Sequence, residues 1–216
     1  MIREAKSSVN PSSLSAQNRY DGPDVVEQLF TDHHGKCYLC ELKAKQHFEV
    51  EHFKSKENFP ELKYEWTNLL LSDGYCNGKK SKSFDNILNP NIYNIEDIIE
   101  QRIDSKNKKA LFKTSNTSVE AKKTIELLNR LYNGTHAPKL RTKREDKFYK
   151  EVERVINAFN ITLFNYQFNT NPQTEKAVRD ELAIDKELLG FKYWIIKDNP
   201  DLYAVFAHDI IWNKAV

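Results

Sequence analysis

Hydrophobic and polar positions follow different periods along this chain, and the changes of period mark its elements. Residues 1–20 carry several serines and no hydrophobic periodicity, which predicts an extended arm. Pro23 then occupies a typical first helical position, apolar residues follow it, and Gly35 comes after the last of them. The pattern therefore predicts one short helix that ends before Gly35.

The next segment has the pattern of β-structure. Phe48 and Val50 alternate with Glu49 and Glu51, as in a strand with one apolar face. A second short apolar run covers residues 69–71. We therefore expect strand structure here rather than helix.

From Asn94 onward the periodicity is helical. Thr117 and Glu120 fit a capping box at the start of one helix. A longer helix is predicted over about 140–159, and another over 171–190, opened by an Asn-Pro pair. The apolar stripes of these helices are expected to form core. The dense aromatic residues that follow predict either a docking surface or closure of that core.

Length and composition are those of an ordinary folded protein. The chain has 216 residues, of which 39% are hydrophobic and 30% charged, and its mean hydropathy is -0.70. This length fits one domain, or a small catalytic module wrapped by helices. The sequence has no apolar run long enough to span a bilayer and no signal-peptide pattern, so we expect a cytoplasmic protein without a membrane partner.

The cysteines indicate metal rather than disulfide chemistry. Cys37 and Cys40 are too close together for a comfortable structural disulfide. Together with Cys76 they have the spacing of two knuckles around a structural zinc ion. The fourth position holds Asp73, whose carboxylate is a less common zinc ligand, and His47 is a possible substitute. Either zinc is bound in this way, or the site has been weakened and the thiols are simply reduced.

Three segments in the same region carry further chemistry: Glu51-His52, Trp66-Thr67-Asn68-Leu69 and Cys76-Asn77-Gly78-Lys79-Lys80. In order, spacing and flanking residues they resemble the HNH signature of metal-dependent nucleases. The resemblance implies a ββα-metal finger in which His52 is the general base and Glu51 and Asn77 hold a catalytic divalent cation. It also implies that Asn68 orients either the His52 imidazole or the loop of the finger.

The chemistry of phosphodiester hydrolysis supports these roles. Neutral imidazole near pH 7 takes a proton from water, and a hard cation neutralises charge on the scissile phosphate. Oxygen donors such as Glu51 and Asn77 suit Mg²⁺, with Mn²⁺ as the alternative. Neighbouring strand residues point to opposite faces, so Glu51 and His52 can serve one site only if the strand ends or kinks there.

The distribution of charge matters more than its sum. The net charge is only +2, but residues 101–150 contain fourteen Lys or Arg against five acids. Such a stretch is either a track for nucleic acid or a set of solvated helix faces. The bases expected to contact a nucleic-acid backbone are Lys54, Lys79, Lys80, Lys82, Arg141, Lys143 and Arg144.

The wider sequence resembles a narrower group of HNH proteins. Residues 51–56, 59–62, 64–70, 74–80 and 122–129 look like the PtuB-type HNH proteins, strongly over 36–90 and more weakly as far as 133. Such proteins are the nuclease component of Septu anti-phage defence systems and of some retrons, and work with a PtuA-type ATPase of the ABC or SMC-like class. This chain departs from them at Asp73, where their second knuckle usually begins with cysteine.

The resemblance implies an α+β fold that is mainly helical, with the ββα-metal finger and its zinc-knuckle-like cysteine site wrapped by helices. We expect an N-terminal arm and helix over 1–35 and an HNH nuclease core over 36–90. A helical region over 91–216 would dock the partner and contact nucleic acid.

The leading hypothesis is an endonuclease that cuts phage DNA, with Mg²⁺ or Mn²⁺ in the catalytic site and Zn²⁺ as a structural ion. Cleavage of RNA or tRNA is an alternative, because nothing in the sequence recognises the sugar. A third possibility, from another class, is a zinc-knuckle interaction module without catalysis. Replacing His52 separates the enzyme from the module.

Overall fold

The chain forms a mainly helical α+β structure with two small antiparallel sheets in the part that a computed structural model describes, residues 1–8, 10–17, 19–43, 48–134 and 140–212. The helices are α1 (Ser12–Ser15), α2 (Pro23–Asp32), α3 (Gly74–Lys80), α4 (Ile95–Ile98), α5 (Val119–Asn133), α6 (Lys143–Phe168), α7 (Pro172–Glu181), α8 (Leu189–Lys197) and α9 (Pro200–Phe206). The strands are β1 (Phe48–His52), β2 (Leu69–Asp73), β3 (Glu100–Asp104) and β4 (Lys109–Lys113). Within these residues, every helix is too short or too polar to cross a membrane. The predicted fold class is confirmed at this level.

The first sheet and the helix after it position the candidate site. Strands β1 and β2 are antiparallel, with Val50 opposite Leu71 and His52 opposite Leu69. Helix α3 begins directly after β2, because the Asp73 side chain caps it by accepting a 2.7 Å hydrogen bond from the Tyr75 amide. The two predicted strand segments are therefore both strands, and they pair with each other.

Buried side chains form three groups. The first joins the cysteine region to α5 and α8, through residues such as Tyr132 and Phe191. The second lies between the end of α6 and helices α7 to α9, around Phe159 and Phe206. The third packs α2 under the first sheet, with Leu29 at its centre. The sequence left open whether the aromatic residues of the C-terminal part form a docking surface or close the core. Phe191 and Phe206 are buried, so these two residues close the core.

The second sheet lies in a region that the sequence pattern assigned to helix. Strands β3 and β4 pair with Gln101 opposite Phe112 and Ile103 opposite Ala110. Alternation in β4 buries Ala110 and Phe112 against the core, while the lysines at both ends of this strand stay exposed. Strands of five residues give too short a period-two signal to stand out from the helical segments around them.

The N-terminal segment is not a simple extended arm. Met1 and Ile2 are completely buried, and residues 12–15 form a short helix. Lys6 donates a 2.5 Å hydrogen bond to the Leu69 carbonyl and lies 3.6 Å from the ring centroid of Trp66. Tertiary packing of two apolar residues and one lysine stem therefore fixes a segment that lacks periodicity of its own.

Helix boundaries also differ from the predictions. The cap of α5 is Ser118, whose hydroxyl accepts from the Ala121 amide, rather than the Thr117 box. Helix α6 begins three residues later than predicted, behind a Thr142–Glu145 capping box, and continues to Phe168.

Gly190 is not a helix end. It lies within α8, and its amide donates to the Glu41 carboxylate at 3.1 Å. A Cβ at this position would lie 2.4 Å from Nε2 of Gln101. Gly190 therefore serves close packing between α8 and its neighbours, a reason that the local sequence does not reveal.

Candidate metal and catalytic site

A cavity of about 560 Å³ runs along β1 and the second half of α3. Glu49, Glu51, His52, Asn77 and Lys80 all contribute to its lining. Strand β1 ends at His52, so its last side chains need not keep the alternation of a strand that continues. Glu51 and His52 therefore line one cavity at the end of the strand, as the sequence requires.

His52 has a fixed tautomer when neutral. Its Nε2 lies 3.0 Å from the carbonyl oxygen of Lys63, and a carbonyl can only accept, so Nε2 carries the proton and Nδ1 is the acceptor. The ring is buried and makes an edge contact with Tyr20 at 4.7 Å between centroids. Burial lowers the pKa of His52, an effect that the Lys63 hydrogen bond partly offsets and that Lys56 adds to. The imidazole is thus kept neutral and oriented, as a general base requires.

Lys80 lies inside the protein and contacts both candidate residues of β1. Its Nζ is 2.8 Å from the Glu51 carboxylate and donates a 3.0 Å hydrogen bond to the His52 carbonyl. Only 1% of the side chain is exposed. Burial raises the pKa of Glu51, and the Lys80 ammonium counteracts this rise. The sequence suggested Lys80 as a contact of the nucleic-acid backbone, and its interior position favours a positioning role instead.

Asn77 and Glu49 form a pair that the motif does not predict. The Asn77 amide donates a 2.6 Å hydrogen bond to the Glu49 carboxylate, across the space between α3 and β1. The sequence pattern indicates for Glu49 only a place in the alternation of the strand. Its position two residues before Glu51, on the same strand face, is the signal that could have indicated its nearness to the site.

Asn68 holds the loop that follows β1. Its side-chain oxygen accepts from the Lys54 amide at 2.7 Å, and its amide nitrogen donates to the carbonyls of Lys54 and Leu62 at 3.0 and 3.1 Å. Of the two roles suggested for Asn68, the structure places its side chain on the loop. The His52 ring donates its hydrogen bond to the carbonyl of Lys63, a residue that the motif does not single out.

The cysteines come together as the spacing predicts. The sulfur atoms of Cys37, Cys40 and Cys76 lie within 4.8 Å of one another, and all three residues are buried. Thiolates around one zinc ion are about 3.8 Å apart in a tetrahedron, so this donor set fits a metal such as zinc. Burial raises the pKa of the Cys76 thiol well above its ordinary value. A bound cation would supply the charge that stabilises thiolates here.

Within the part of the chain that the structure describes, three sulfurs form the donor group and no fourth ligand joins them. The Asp73 carboxylate lies outside the group formed by the three sulfurs, and one of its oxygens caps α3 through Tyr75. The suggested substitute, His47, lies outside the described residues.

The suggested nucleic-acid contacts differ in accessibility. Lys54 donates to the Asp85 carbonyl at 2.5 Å, Lys79 pairs with Glu145, and Arg141 lies 4.1 Å from the Tyr149 ring centroid.

Lys82, Lys143 and Arg144 are exposed, with Lys82 3.7 Å from Glu57. Lys143 lines a shallow surface depression together with Lys147 and Lys150, two cations that the sequence motifs did not include. Of the suggested contacts, the accessible ones are therefore Lys82 and the two bases at the start of α6.

Two comparisons with known proteins place the chain. No protein-family model matches the chain. A stretch of 76 residues is 38% identical to the Septu protein PtuB of Bacillus thuringiensis. Over that stretch the chain is related to PtuB. The match covers 32% of this chain and 30% of that PtuB, so the chain matches about a third of the length of its relative. The predicted PtuB-type relationship is confirmed to this extent.

Proposed function

We propose that the protein is a metal-dependent HNH endonuclease that hydrolyses phosphodiester bonds of phage DNA in a Septu-type defence system. One observation carries the proposal: a single cavity brings together a neutral histidine with a defined acceptor nitrogen and the oxygen donors Glu51 and Asn77. The partial identity with PtuB supports the same assignment. Strands β1 and β2 with helix α3 would be the ββα-metal finger.

In this mechanism His52 acts through Nδ1. That nitrogen takes a proton from the attacking water, while the Lys63 carbonyl stabilises the imidazolium that forms, through the Nε2 proton. Glu51 and Asn77 would hold Mg²⁺ or Mn²⁺, which supplies charge neutralisation at the scissile phosphate. Asn68 keeps the loop after β1 in place, so that the base and the strand end stay aligned.

The cysteine site has a structural role in this proposal. Cys37 and Cys40 belong to the segment after α2, and Cys76 belongs to α3. Zn²⁺ bound by the three thiolates, with Asp73 or His47 as the candidates for the fourth ligand, would link that segment to the helix that carries Asn77. The ion would thereby stabilise the position of Asn77 without taking part in the reaction.

The nucleic-acid track would start at the cavity and continue on α6. Lys82 lines the cavity, and Lys143 and Arg144 are exposed on the first turn of α6. Charge reversal at Lys143 and Arg144 should weaken DNA binding and reduce the dependence of the affinity on salt. DNA rather than RNA follows from the resemblance alone.

A PtuA-type ATPase is the proposed partner, docked on the helical part. Residues 155–174 contain no charged residue, although the chain as a whole is 30% charged. Ile161, Phe164 and Phe168 are 61%, 63% and 83% exposed on this part of α6, and the rings of Phe164 and Phe168 stack. An exposed apolar stripe of this kind supports a protein-binding surface.

Co-purification tests this docking surface. Replacing Phe164 and Phe168 with Asp should prevent the ATPase from co-purifying, whereas Asn157→Asp, also exposed on α6, should leave the complex intact. Retention of the ATPase by the double variant would place the interface elsewhere.

The decisive experiment is plasmid cleavage with Mg²⁺ or Mn²⁺, with and without the PtuA-type ATPase. The wild type should cut, His52→Ala should not, and His208→Ala should cut normally, because His208 is exposed near the C-terminal end of the described chain. Absence of cutting by a folded wild type would move the proposal to RNA substrates. Absence of cutting on RNA as well would favour the interaction module.

A further inference from the structure

Glu49 occupies a specific place beside the candidate metal ligand Asn77. It lies on the same face of β1 as Glu51 and reaches over the first turn of α3, where its carboxylate accepts the 2.6 Å hydrogen bond from Nδ2 of Asn77. A Cβ at Gly74 would lie 2.7 Å from the nearer Glu49 carboxylate oxygen. The absence of a side chain at Gly74 therefore leaves the room in which Glu49 lies.

The chemistry of the two side chains fixes how the Asn77 amide is turned. An amide has a donating nitrogen and an accepting oxygen on opposite sides, whereas a carboxylate only accepts. Asn77 must therefore present its nitrogen to Glu49, and its oxygen is directed away from Glu49. Since a divalent cation binds an amide through oxygen, only this orientation is useful for metal binding.

Glu51, the other acid of β1, has a different partner on α3. Its carboxylate is engaged by the buried ammonium of Lys80, whereas Glu49 is exposed to the cavity and holds the Asn77 amide directly. The two acids of β1 thus have different partners on α3.

We propose that Glu49 is a positioning residue that orients the Asn77 amide so that its oxygen faces the catalytic cation. This inference rests on the proposed function, in which Asn77 is a ligand of that cation. Many metal ligands are oriented by a hydrogen bond from a residue that does not itself bind the metal. Loss of such a hydrogen bond typically costs 10–100-fold in metal affinity.

Mn²⁺ binding to the full chain, followed by electron paramagnetic resonance, tests the inference without relying on cleavage. Glu49→Ala should weaken Mn²⁺ binding by roughly tenfold or more. The matched control is Glu57→Ala, which removes an exposed carboxylate from the same cavity and should change the affinity much less. Thermal unfolding of each variant verifies that the fold is intact.

The same substitution made in the Asn77→Asp variant separates two effects of Glu49, the orientation of the amide and the negative charge near the cation. In Asn77→Asp the ligand has two equivalent oxygens and needs no orientation, so adding Glu49→Ala should leave the affinity unchanged or raise it as like charges separate. An equal loss in both backgrounds, or an equal loss with Glu57→Ala, would overturn the positioning role. Wild-type binding that Glu49→Ala does not weaken would overturn the inference alone, whereas failure of the wild type to bind Mn²⁺ would overturn the proposed metal site as well.

Discussion

The Nζ atom of Lys80 lies 2.8 Å from the carboxylate of Glu51, and the two side chains are only 1% and 12% exposed. The same ammonium donates to the main-chain carbonyl of His52. One cation from α3 therefore fixes the strand end on which the proposed base and one proposed ligand both stand. The Lys80 ammonium therefore has a structural role at this strand end.

Lys80→Ala should strongly destabilise the protein. It leaves Glu51 buried without its cation, and breaking a buried ion pair in this way costs about 3–5 kcal/mol. Lys82→Ala is the matched control, because Lys82 is 64% exposed and its 3.7 Å pair with Glu57 contributes about 0–1 kcal/mol. Urea denaturation gives both values. Similar losses for the two variants would show that Lys80 is not held as an interior cation.

A double variant checks the cause. Lys80→Met combined with Glu51→Leu removes both charges and fills similar volume, so it should recover most of the stability that Lys80→Ala loses. Failure to recover would mean that the hydrogen bond from Lys80 to the His52 carbonyl, which methionine cannot make, is the larger contribution.

The protonation of His52 gives a prediction with a definite sign. Burial lowers its pKa in the folded protein, so the ring stays neutral to a pH below the ordinary value of about 6.5. Cleavage should therefore lose activity only as the pH falls below that value. Tyr20→Ala exposes the ring, so the pKa should return toward 6.5 and the acid limb should move to higher pH.

NMR titration of the His52 ring in the wild type and in Tyr20→Ala measures this change directly. An acid limb that does not move, with an unchanged His52 titration, would show that the Tyr20 contact does not cause the burial effect. A shifted titration with an unmoved acid limb would instead remove His52 from the role of base.

Zinc should be present in the purified protein and should depend on the cysteines. Cys76→Ser replaces one of the three clustered sulfurs, so the zinc content should fall and the melting temperature should drop. Asp73→Asn keeps a side-chain oxygen for the α3 cap, so it tests the fourth ligand without removing the cap. Elemental analysis that finds equal zinc in wild type and Cys76→Ser would refute a metal at this cluster.

How much of this site the sequence predicts depends on how far apart along the chain the interacting residues lie. Strand β1, helix α2 and the grouping of the three cysteines depend on local period and spacing, and the sequence predicts them. The hydrogen bond from Asn77 to Glu49 joins residues 28 positions apart, and that from His52 to Lys63 joins residues 11 apart. No local pattern specifies such partners, because they are set by how α3 and the loop pack on the sheet.

The same limit explains the errors in the fold. The hairpin of β3 and β4 is stabilised by packing against α5 and α8, which lie later in the sequence. Glycine is typical of a helix end, and the local sequence therefore predicts one at Gly190. The actual reason for glycine there is the close approach of Gln101, which lies 89 positions earlier in the chain. Tertiary contacts decided both cases against local propensity.

The last prediction concerns a buried carboxyl group outside the lining of the cavity. Glu4 lies 4.0 Å from His33, and both side chains are almost completely buried. Burial raises the pKa of Glu4 to about 8, an effect that Lys36 counteracts and that Glu41 adds to. Burial also lowers the pKa of His33 to about 3. The folded state thus favours the neutral form of each group.

The sign of the Glu4 effect is opposite to that of a carboxylate in an ordinary ion pair. Unfolded Glu4 ionises near pH 4.5 and folded Glu4 near 8, so its contribution to stability is complete below 4.5 and is lost as the pH rises toward 8. Glu4→Gln removes this titration, so the stability of the variant relative to the wild type should rise by roughly 3 kcal/mol from pH 5 to pH 8. Denaturation at both pH values measures the gain, and Glu57→Gln, at an exposed position, is the control. A stability difference that does not vary with pH would mean that the folded protein holds Glu4 ionised, balanced by Lys36.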